Sequence, residues 1–440
     1  MLFRSRHLAE GLSRAARQRD QLSPVWHAVR AWYRKRRPAE AARVRAGLRE
    51  DNQVPPLSPE HARILFRERG GLRLISPSGI ERYARCPFAG FVDRGLRPEE
   101  RRIYEAGSRE NGDLYHATIM RVTRALTEGR LWGSVTEAGL RDLVRRELTA
   151  ESDSYKEGLF HYSGRETYRA GRLERACLDT LSALVDQYQA GDVKESRFEA
   201  AFGPGQSLPP IELNEDGTKV CLEGRIDRLD ILANDRLKVI DYKSGNNQFH
   251  LSEVRAGYSL QLMVYLKAAE QEGRKPAGVF YFYIREPRVN SAEEDLTPEE
   301  LSKELRKAFQ MNGLMVDDPE TVREVAGDFE GSSPVIKATR KKDGTFSQDR
   351  SAALISEEGF RELEEAVSQT LSGLARNMNR GEISISPMRV DASRGACTHC
   401  QFRGICRFDV FYAGNRDRTL ADGAAAESGE TEPEPEPPKI

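Results

Sequence analysis

Two carboxylates, a lysine and a set of cysteines are the residues of this 440-residue chain whose types and spacing could do chemistry. The first group is Gly224-Arg225-Ile226-Asp227, followed by Val239-Ile240-Asp241-Tyr242-Lys243-Ser244-Gly245. Residues two apart in a strand share a face, so Asp241 and Lys243 project together, with Tyr242 opposite. A hairpin partner would bring Asp227 within reach across the ladder, where facing residues stand about 5 Å apart. Two carboxylates beside an ammonium suit Mg²⁺ or Mn²⁺ rather than zinc, because hard oxygen donors match hard cations. Such an ion would neutralise phosphate charge and activate water, while the lysine orients or deprotonates that water or steadies the pentavalent phosphorus. That is phosphodiester hydrolysis. A lone D-x-K reads as a surface ion pair. Here Val239 and Ile240 precede the acid, and a carboxylate ending an apolar strand needs a partner or a metal.

The second group is Cys86, far from Cys397, Cys400 and Cys406, which follow more than 300 residues later as C-x2-C-x5-C. Four thiolates fit a [4Fe–4S] cluster or structural zinc. Zinc sites usually pair two short C-x2-4-C knuckles, and one remote cysteine is atypical, but spacing alone leaves both open. Either would clasp distant stretches together. Cys177 and Cys221 lie in apolar-patterned segments and read as small core residues, and His399 reads as a bystander. His116, in Gly112-Asp113-Leu114-Tyr115-His116 at a helix start, reads by itself as a hydrogen-bonded structural histidine. Gln261 and Tyr265 are i and i+4 on one helix face. Gln261 is placed to orient phosphate or Lys243, and Tyr265 to pack or touch DNA.

These residues need elements to position them. Lys219 to Ile231 and Leu237 to Tyr242 are strand-like and separated by Ala233-Asn234-Asp235, which predicts a β-hairpin. Residues 258–271 return to helix, and Gly278 to Arg285 reads as a buried strand. Ser78-Gly79-Ile80-Glu81 forms a capping box, with Glu81 reaching back to the Ser78 amide. The short helix it opens should end at Cys86, because Pro87 disfavours helix in its predecessor. Residues 113–190 read as mainly helical, with Leu114, Ile119, Val122 and Leu126 on one face. Thr297-Pro298-Glu299-Glu300 opens a further helix, Leu57-Ser58-Pro59-Glu60 caps a short one, and a long one over about 357–380 stops at Gly381.

Composition sets the frame. With 31% charged and 38% hydrophobic residues the chain reads as soluble and globular, and no apolar run approaches the roughly 18–20 residues of a membrane span. Residues 1–50 carry 13 Arg/Lys against 4 Asp/Glu, while residues 421–440 carry 6 acids and 1 lysine, so a net charge of −1 conceals a basic head and an acidic tail. Six cysteines in a chain this long, without a secretory signal, suggest a cytoplasmic metal or redox role rather than a disulfide scaffold. Three regions are expected: a basic helical segment over 1–70, a main domain over 71–412, and a disordered tail over 413–440.

Taken together, these motifs resemble the PD-(D/E)XK nuclease superfamily in its RecB-like branch, and more narrowly the nuclease region of AddB-type helicase–nuclease subunits. Ile75 to Phe88 is similar to that family's first-cysteine segment, and Gly112 to His116 to its histidine motif. Gly224 to Asp227 matches its second acidic motif, Ile240 to Lys243 its D-x-K, Gln261-x3-Tyr265 its Q-x3-Y helix, and Cys397 to Cys406 its closing cysteine trio. The resemblance spans about residues 55–412. It implies a restriction-endonuclease-like α/β core: a mixed central sheet flanked by helices, with helical N-terminal and inserted segments and a [4Fe–4S] staple on Cys86, Cys397, Cys400 and Cys406. It also implies Mg²⁺ on His116, Asp227 and Asp241, with Lys243 as the catalytic lysine. The implied activity is a deoxyribonuclease, an exonuclease by preference, that resects double-strand breaks on duplex ends and single strands. No G-x4-G-K-[ST] occurs in the sequence, so ATP hydrolysis is expected from a helicase partner, and the chain is expected to be a separate module or a C-terminal portion. Competing readings are a non-catalytic iron–sulfur DNA-binding scaffold, and a related exonuclease of CRISPR spacer acquisition.

Overall fold

The computed structural model describes residues 11–12, 23–48, 53–66, 72–99, 107–215, 217–245, 248–284, 287, 297–346, 354–410 and 415–420. Among them the helices are α1 Pro24–Arg36, α2 Pro38–Leu48, α3 Pro59–Leu65, α4 Pro77–Arg85, α5 Pro87–Phe91, α6 Ser108–Glu128, α7 Glu137–Ser154 and α8 Gly164–Ala190. They continue as α9 Leu251–Arg255, α10 Gln261–Ala269, α11 Pro298–Ala308, α12 Pro319–Ala326, α13 Glu357–Asn379 and α14 Arg403–Cys406. The strands that position the site are β1 Leu72–Ile75, β2 Val193–Phe202, β3 Ile211–Glu215, β4 Thr218–Leu222, β5 Gly224–Leu232, β6 Leu237–Lys243, β7 Pro276–Tyr283 and β8 Asn312–Val316.

A six-stranded mixed sheet forms the centre. Its order is β8-β7-β6-β5-β2, with the short strand Leu354–Ile355 outside β8. β6 runs parallel to β7, and β5 is antiparallel to both β6 and β2. A smaller sheet, β1-β4-β3, lies beside it. Alternation along the strands divides the apolar side chains between two cores. Leu229, Val239 and Tyr281 pack with Leu262 and Leu266 of α10, Phe360 and Leu371 of α13, and Ile80 and Tyr83 of α4. Ile240, Tyr242, Phe280 and Phe282 pack on the opposite side with Ile119, Val122 and Leu126 of α6 and Leu181 of α8. The architecture is the expected mixed central sheet flanked by helices. Cys177 and Cys221 are both buried, as core residues should be.

Three expectations change. The stretch from Lys219 to Ile231 is two strands rather than one: β4 belongs to the small sheet, and the chain crosses at Glu223, whose amide donates to the Ile75 carbonyl at 3.1 Å, into the central one. The signal was Gly224, where a Cβ would stand 3.0 Å from the Phe202 ring and 3.2 Å from Pro77; a glycine inside a strand pattern often marks such a close approach. The capping box at Ser78 does not form either. Pro77 occupies the first helical position and Ser76 is the N-cap, accepting from the Gly79 amide at 3.2 Å. A proline is pre-organised for that position, so the helix opens two residues earlier than expected, which frees Glu81 for another task. Finally, residues 415–420 of the expected tail are described, with Arg418–Thr419 paired in parallel to Met388–Arg389. Residues 421–440, 1–10 and 13–22 lie outside the described residues. No described helix is long and apolar enough to cross a membrane.

Candidate active site

The β5–β6 hairpin closes over Ala233–Arg236, where Asp235 takes the left-handed conformation at φ 62°. Its ladder pairs Ile231 with Leu237 and Arg228 with Ile240, so Asp227 and Asp241 stand one step beyond the last pair. The Tyr242 amide donates to Asp227 Oδ2 at 2.8 Å, which draws the acid onto the strand that carries Asp241. Asp241 is buried, and Lys243 Nζ lies 2.6 Å from its Oδ2. That contact is a short, charge-assisted one, and it partly offsets the cost of burying the carboxyl.

Lys243 is held from the other side by α10. Its ammonium donates to Gln261 Oε1 at 2.9 Å, and Gln261 Nε2 donates to the Tyr265 hydroxyl at 2.7 Å. The helix is itself anchored from a distant part of the chain. Glu81 Oε1 accepts from the amides of Leu260 and Gln261 at 2.6 and 2.7 Å. A carboxylate on those first amides satisfies two of the unpaired donors of a helix start and complements its dipole. Glu81 therefore fixes the register of Gln261 against Lys243, a role that composition and spacing did not reveal.

His116 projects from α6, with Nδ1 3.7 Å from Asp227 Oδ2 and its ring edge-on to Tyr242. Burial pushes its pKa down, aided by the Lys243 charge, against the raising influence of Asp241. The imidazole is then neutral near pH 7, the form that ligates metal. Burial likewise dominates at the acids, pushing Asp227 up to about 6 and Asp241 up to about 7.

Raised carboxyls set a pH signature. A group whose folded-state pKa exceeds the ordinary 3.8 stabilises the fold below that value and loses the contribution as pH rises through about 6 and 7. In EDTA the melting midpoint should therefore fall between pH 5 and pH 8, by roughly 5 °C, and Asp241→Asn should flatten the slope. Identical profiles for parent and variant would contradict this account.

The donor set tests well for a hard divalent cation: two carboxylates, one of them buried, with a neutral imidazole alongside, and two acids against one lysine. Among the described residues, however, no group of three or more His, Cys, Asp or Glu converges closely enough to enclose an ion. The fit is one of charge and chemistry rather than of a closed shell.

The four cysteines lie at a second location, where the described residues likewise form no closed donor group. Cys86 ends α4, opens α5 and is buried, while Cys397, Cys400 and Cys406 are half-buried. None of the six cysteines is in a disulfide. Burial first, then the neighbouring Cys86, Cys400 and Cys406, pushes Cys397 up to about 12, and Cys400 acts on Cys86 in the same way. The remote thiol is thus within electrostatic range of the trio. Arg418 ties this corner, donating from Nη2 to the Ala84 carbonyl at 2.6 Å and from Nε to the Ser386 carbonyl at 3.0 Å. His399 is exposed.

The hairpin itself carries a buried ion network that the sequence patterns did not reveal. Arg228 Nε donates to Asp230 Oδ1 at 2.7 Å, Lys238 Nζ lies 2.9 Å from Oδ2, and the Ser196 hydroxyl donates to Oδ1 at 2.6 Å. Burial alone would raise the Asp230 carboxyl, but Arg228 and Lys238 outweigh it and hold it at about 2. The guanidinium also sits over Trp132, Tyr188 and Phe198, at 5.4, 5.5 and 5.8 Å. The available signal was charge at period two inside an apolar strand, with Lys238 facing Asp230 across the ladder.

The chain resembles known proteins over most of its length. The chain is 31% identical to a Clostridium acetobutylicum protein named as the B-type subunit of an ATP-dependent helicase/deoxyribonuclease, over 91% of this chain and 35% of that one. Like-named proteins of Thermoanaerobacter sp. and Acetivibrio thermocellus are 32% and 31% identical, over 90% and 91% of this chain. The chain spans about a third of the length of these curated relatives, 35% and 36% for the last two. The family model of the PD-(D/E)XK nuclease superfamily matches residues 74–407, a range that holds both carboxylates, the lysine and all four clustered cysteines, and the chain belongs to that superfamily.

Proposed function

We propose that this chain is a Mg²⁺-dependent deoxyribonuclease module, an exonuclease of break-end resection and recombinational repair that works beside an ATP-driven helicase subunit. The observation that carries the reading is Lys243, held between the buried carboxyl of Asp241 and the carboxamide of Gln261 on the strand beside Asp227. Asp227, Asp241 and His116 would hold Mg²⁺ or Mn²⁺, which when bound neutralises phosphate charge and lowers the pKa of its water. The chain's own residues do the remaining work. Lys243 has three N–H donors; one is committed to Gln261 and one faces Asp241, which leaves one to orient the attacking water or to meet charge developing on the phosphoryl oxygens. Gln261 and Tyr265 hold that ammonium in line, and Glu81 holds Gln261. The names of the relatives support a helicase-associated setting. Digestion of end-labelled single- and double-stranded linear DNA by the full chain tests the reading. Mg²⁺-dependent loss of label is expected, and no cutting with either Mg²⁺ or Mn²⁺ would defeat it.

The same reading assigns a [4Fe–4S] cluster to Cys86, Cys397, Cys400 and Cys406, clasping the start of the nuclease domain to its end. Cysteine thiolates are the ligands such a cluster takes, and Cys86 and Cys397 feel their neighbouring sulfurs. Anaerobically purified protein should be brown, with broad visible absorbance that Cys400→Ala bleaches. A colourless protein carrying one zinc per chain would replace the cluster with a structural zinc site.

A further inference from the structure

The acids of the site pose a problem for a polyanionic substrate, because a pair of carboxylates repels phosphate unless cations stand at its mouth. Arg225 lies two residues before Asp227 at the start of β5, with its side chain 64% exposed. Its Nη1 donates to Glu199 Oε2 at 2.8 Å. Glu199 comes from the neighbouring strand. The β2–β5 register pairs Phe198 with Arg228 and Ala200 with Ile226, which sets Glu199 directly opposite Asp227 at a step where no pair forms. At that step Glu199 has φ 52°, the left-handed region. A glutamate in the middle of a strand adopts this backbone only when its surroundings demand it, and such outliers cluster at functional sites. Its charge reaches both Asp227 and His116. Glu199 is therefore turned out of the ladder beside the site, where it grips an exposed guanidinium.

Resting on the nuclease reading, we propose that Arg225, positioned by Glu199, receives a backbone phosphate of the DNA strand next to the bond that is cut. A guanidinium presents a planar fork of five donors matched to phosphate oxygens. With one edge held by Glu199, its direction is set before the strand arrives, so less side-chain freedom is lost on binding. Arg225 is a substrate-binding residue and Glu199 a positioning residue. The bland alternative, a solvent-exposed ion pair, accounts for the 2.8 Å contact but not for a strained backbone opposite an acid of the site.

The test uses the full chain and an end-labelled single-stranded oligonucleotide. With Asp241→Asn in the background to suppress cutting, Arg225→Ala should weaken binding roughly tenfold. It should also lower the slope of log affinity against log salt by about one phosphate contact. Arg225→Lys should restore the slope and only part of the affinity, because a point charge lacks the fork. Glu199→Gln should show a smaller loss of the same kind. Glu199→Gly should match it in binding while the melting midpoint stays level or rises, since glycine accepts the left-handed backbone without strain. In the cutting parent the effect of Arg225→Ala should fall on KM more than on kcat. Unchanged affinity and salt slope in Arg225→Ala would overturn the proposal. A melting midpoint that falls in Glu199→Gly together with every binding loss would reduce Glu199 to a structural residue. The two readings fail separately. DNA binding with an Arg225-dependent slope but no cutting defeats the nuclease reading alone; cutting at parental KM by Arg225→Ala defeats this one alone.

Discussion

Replacing Asp241 by asparagine should lower the rate of cutting end-labelled linear DNA by about 10³-fold, the scale of losing a preorganised electrostatic group. The substitution keeps the shape and removes the charge. Asp241 is buried and its carboxyl is raised to about 7 by desolvation, so the folded chain loses little when the group can no longer ionise. The melting midpoint in EDTA at pH 8 should hold or rise. This separates a catalytic loss from an unfolding loss, a distinction that the cavity left by an alanine at the same site would blur. A variant that cuts at the parental rate would show that the acid serves the fold alone, and the non-catalytic scaffold reading would then stand. The loss should appear with Mg²⁺ and Mn²⁺ alike, because the missing group is a hard oxygen donor common to both.

The largest effect on stability should come from Asp230→Ala. Its carboxylate faces Arg228 and Lys238 in a network where all three side chains are at most 4% exposed. Removing it leaves two cations uncompensated in the core, and breaking a buried pair in this way costs about 3–5 kcal/mol. Urea midpoints measured at pH 7 would read that loss. The sign of the pH dependence is opposite to that of the active-site acids. Asp230 is held at about 2, below the ordinary 3.8, so its contribution is present above that ordinary value and is lost as pH falls through about 2. Replacing all three charges together by apolar residues of similar volume should be far milder than removing Asp230 alone, since no charge is then stranded. An Asp230→Ala chain as stable as the parent would mean that water reaches this network. These residues belong to the same hairpin as Asp227 and Asp241, so partial loss of activity without loss of fold is also expected from Asp230→Asn.

Much of the site was legible in the residues. Asp241 and Lys243 share a face because side chains alternate along a strand, and the hairpin followed from the apolar runs flanking Ala233-Asn234-Asp235. Gln261 and Tyr265 could be paired through helical spacing alone, and they are hydrogen-bonded to each other. The capping signals at Ser58, Thr297 and Gly381 lie where the helices begin or end. Glu81 departs from the local capping rule because its partners are non-local: the amides it accepts from lie 179 and 180 residues away. The single long strand failed for a related reason, since a strand can pass from one sheet to another without a turn composition to mark it. Glu199 carried no signal at all, because a left-handed backbone at a glutamate is imposed by its neighbours.

The amino-acid sequence by itself determined which side chains are available and which share a face within one element, because the 2.0 and 3.6 residue periods are properties of the backbone and act locally. It also carried the cysteine spacing and the family motifs. Tertiary structure alone decided what meets across elements: Glu81 on the amides of Gln261, Glu199 opposite Asp227, Cys86 within electrostatic range of Cys397, and Arg228 and Lys238 around Asp230. Those meetings depend on sheet order and on which core each element packs against. Both arise from the summed burial of many weakly informative side chains, and no short stretch of chain contains that sum.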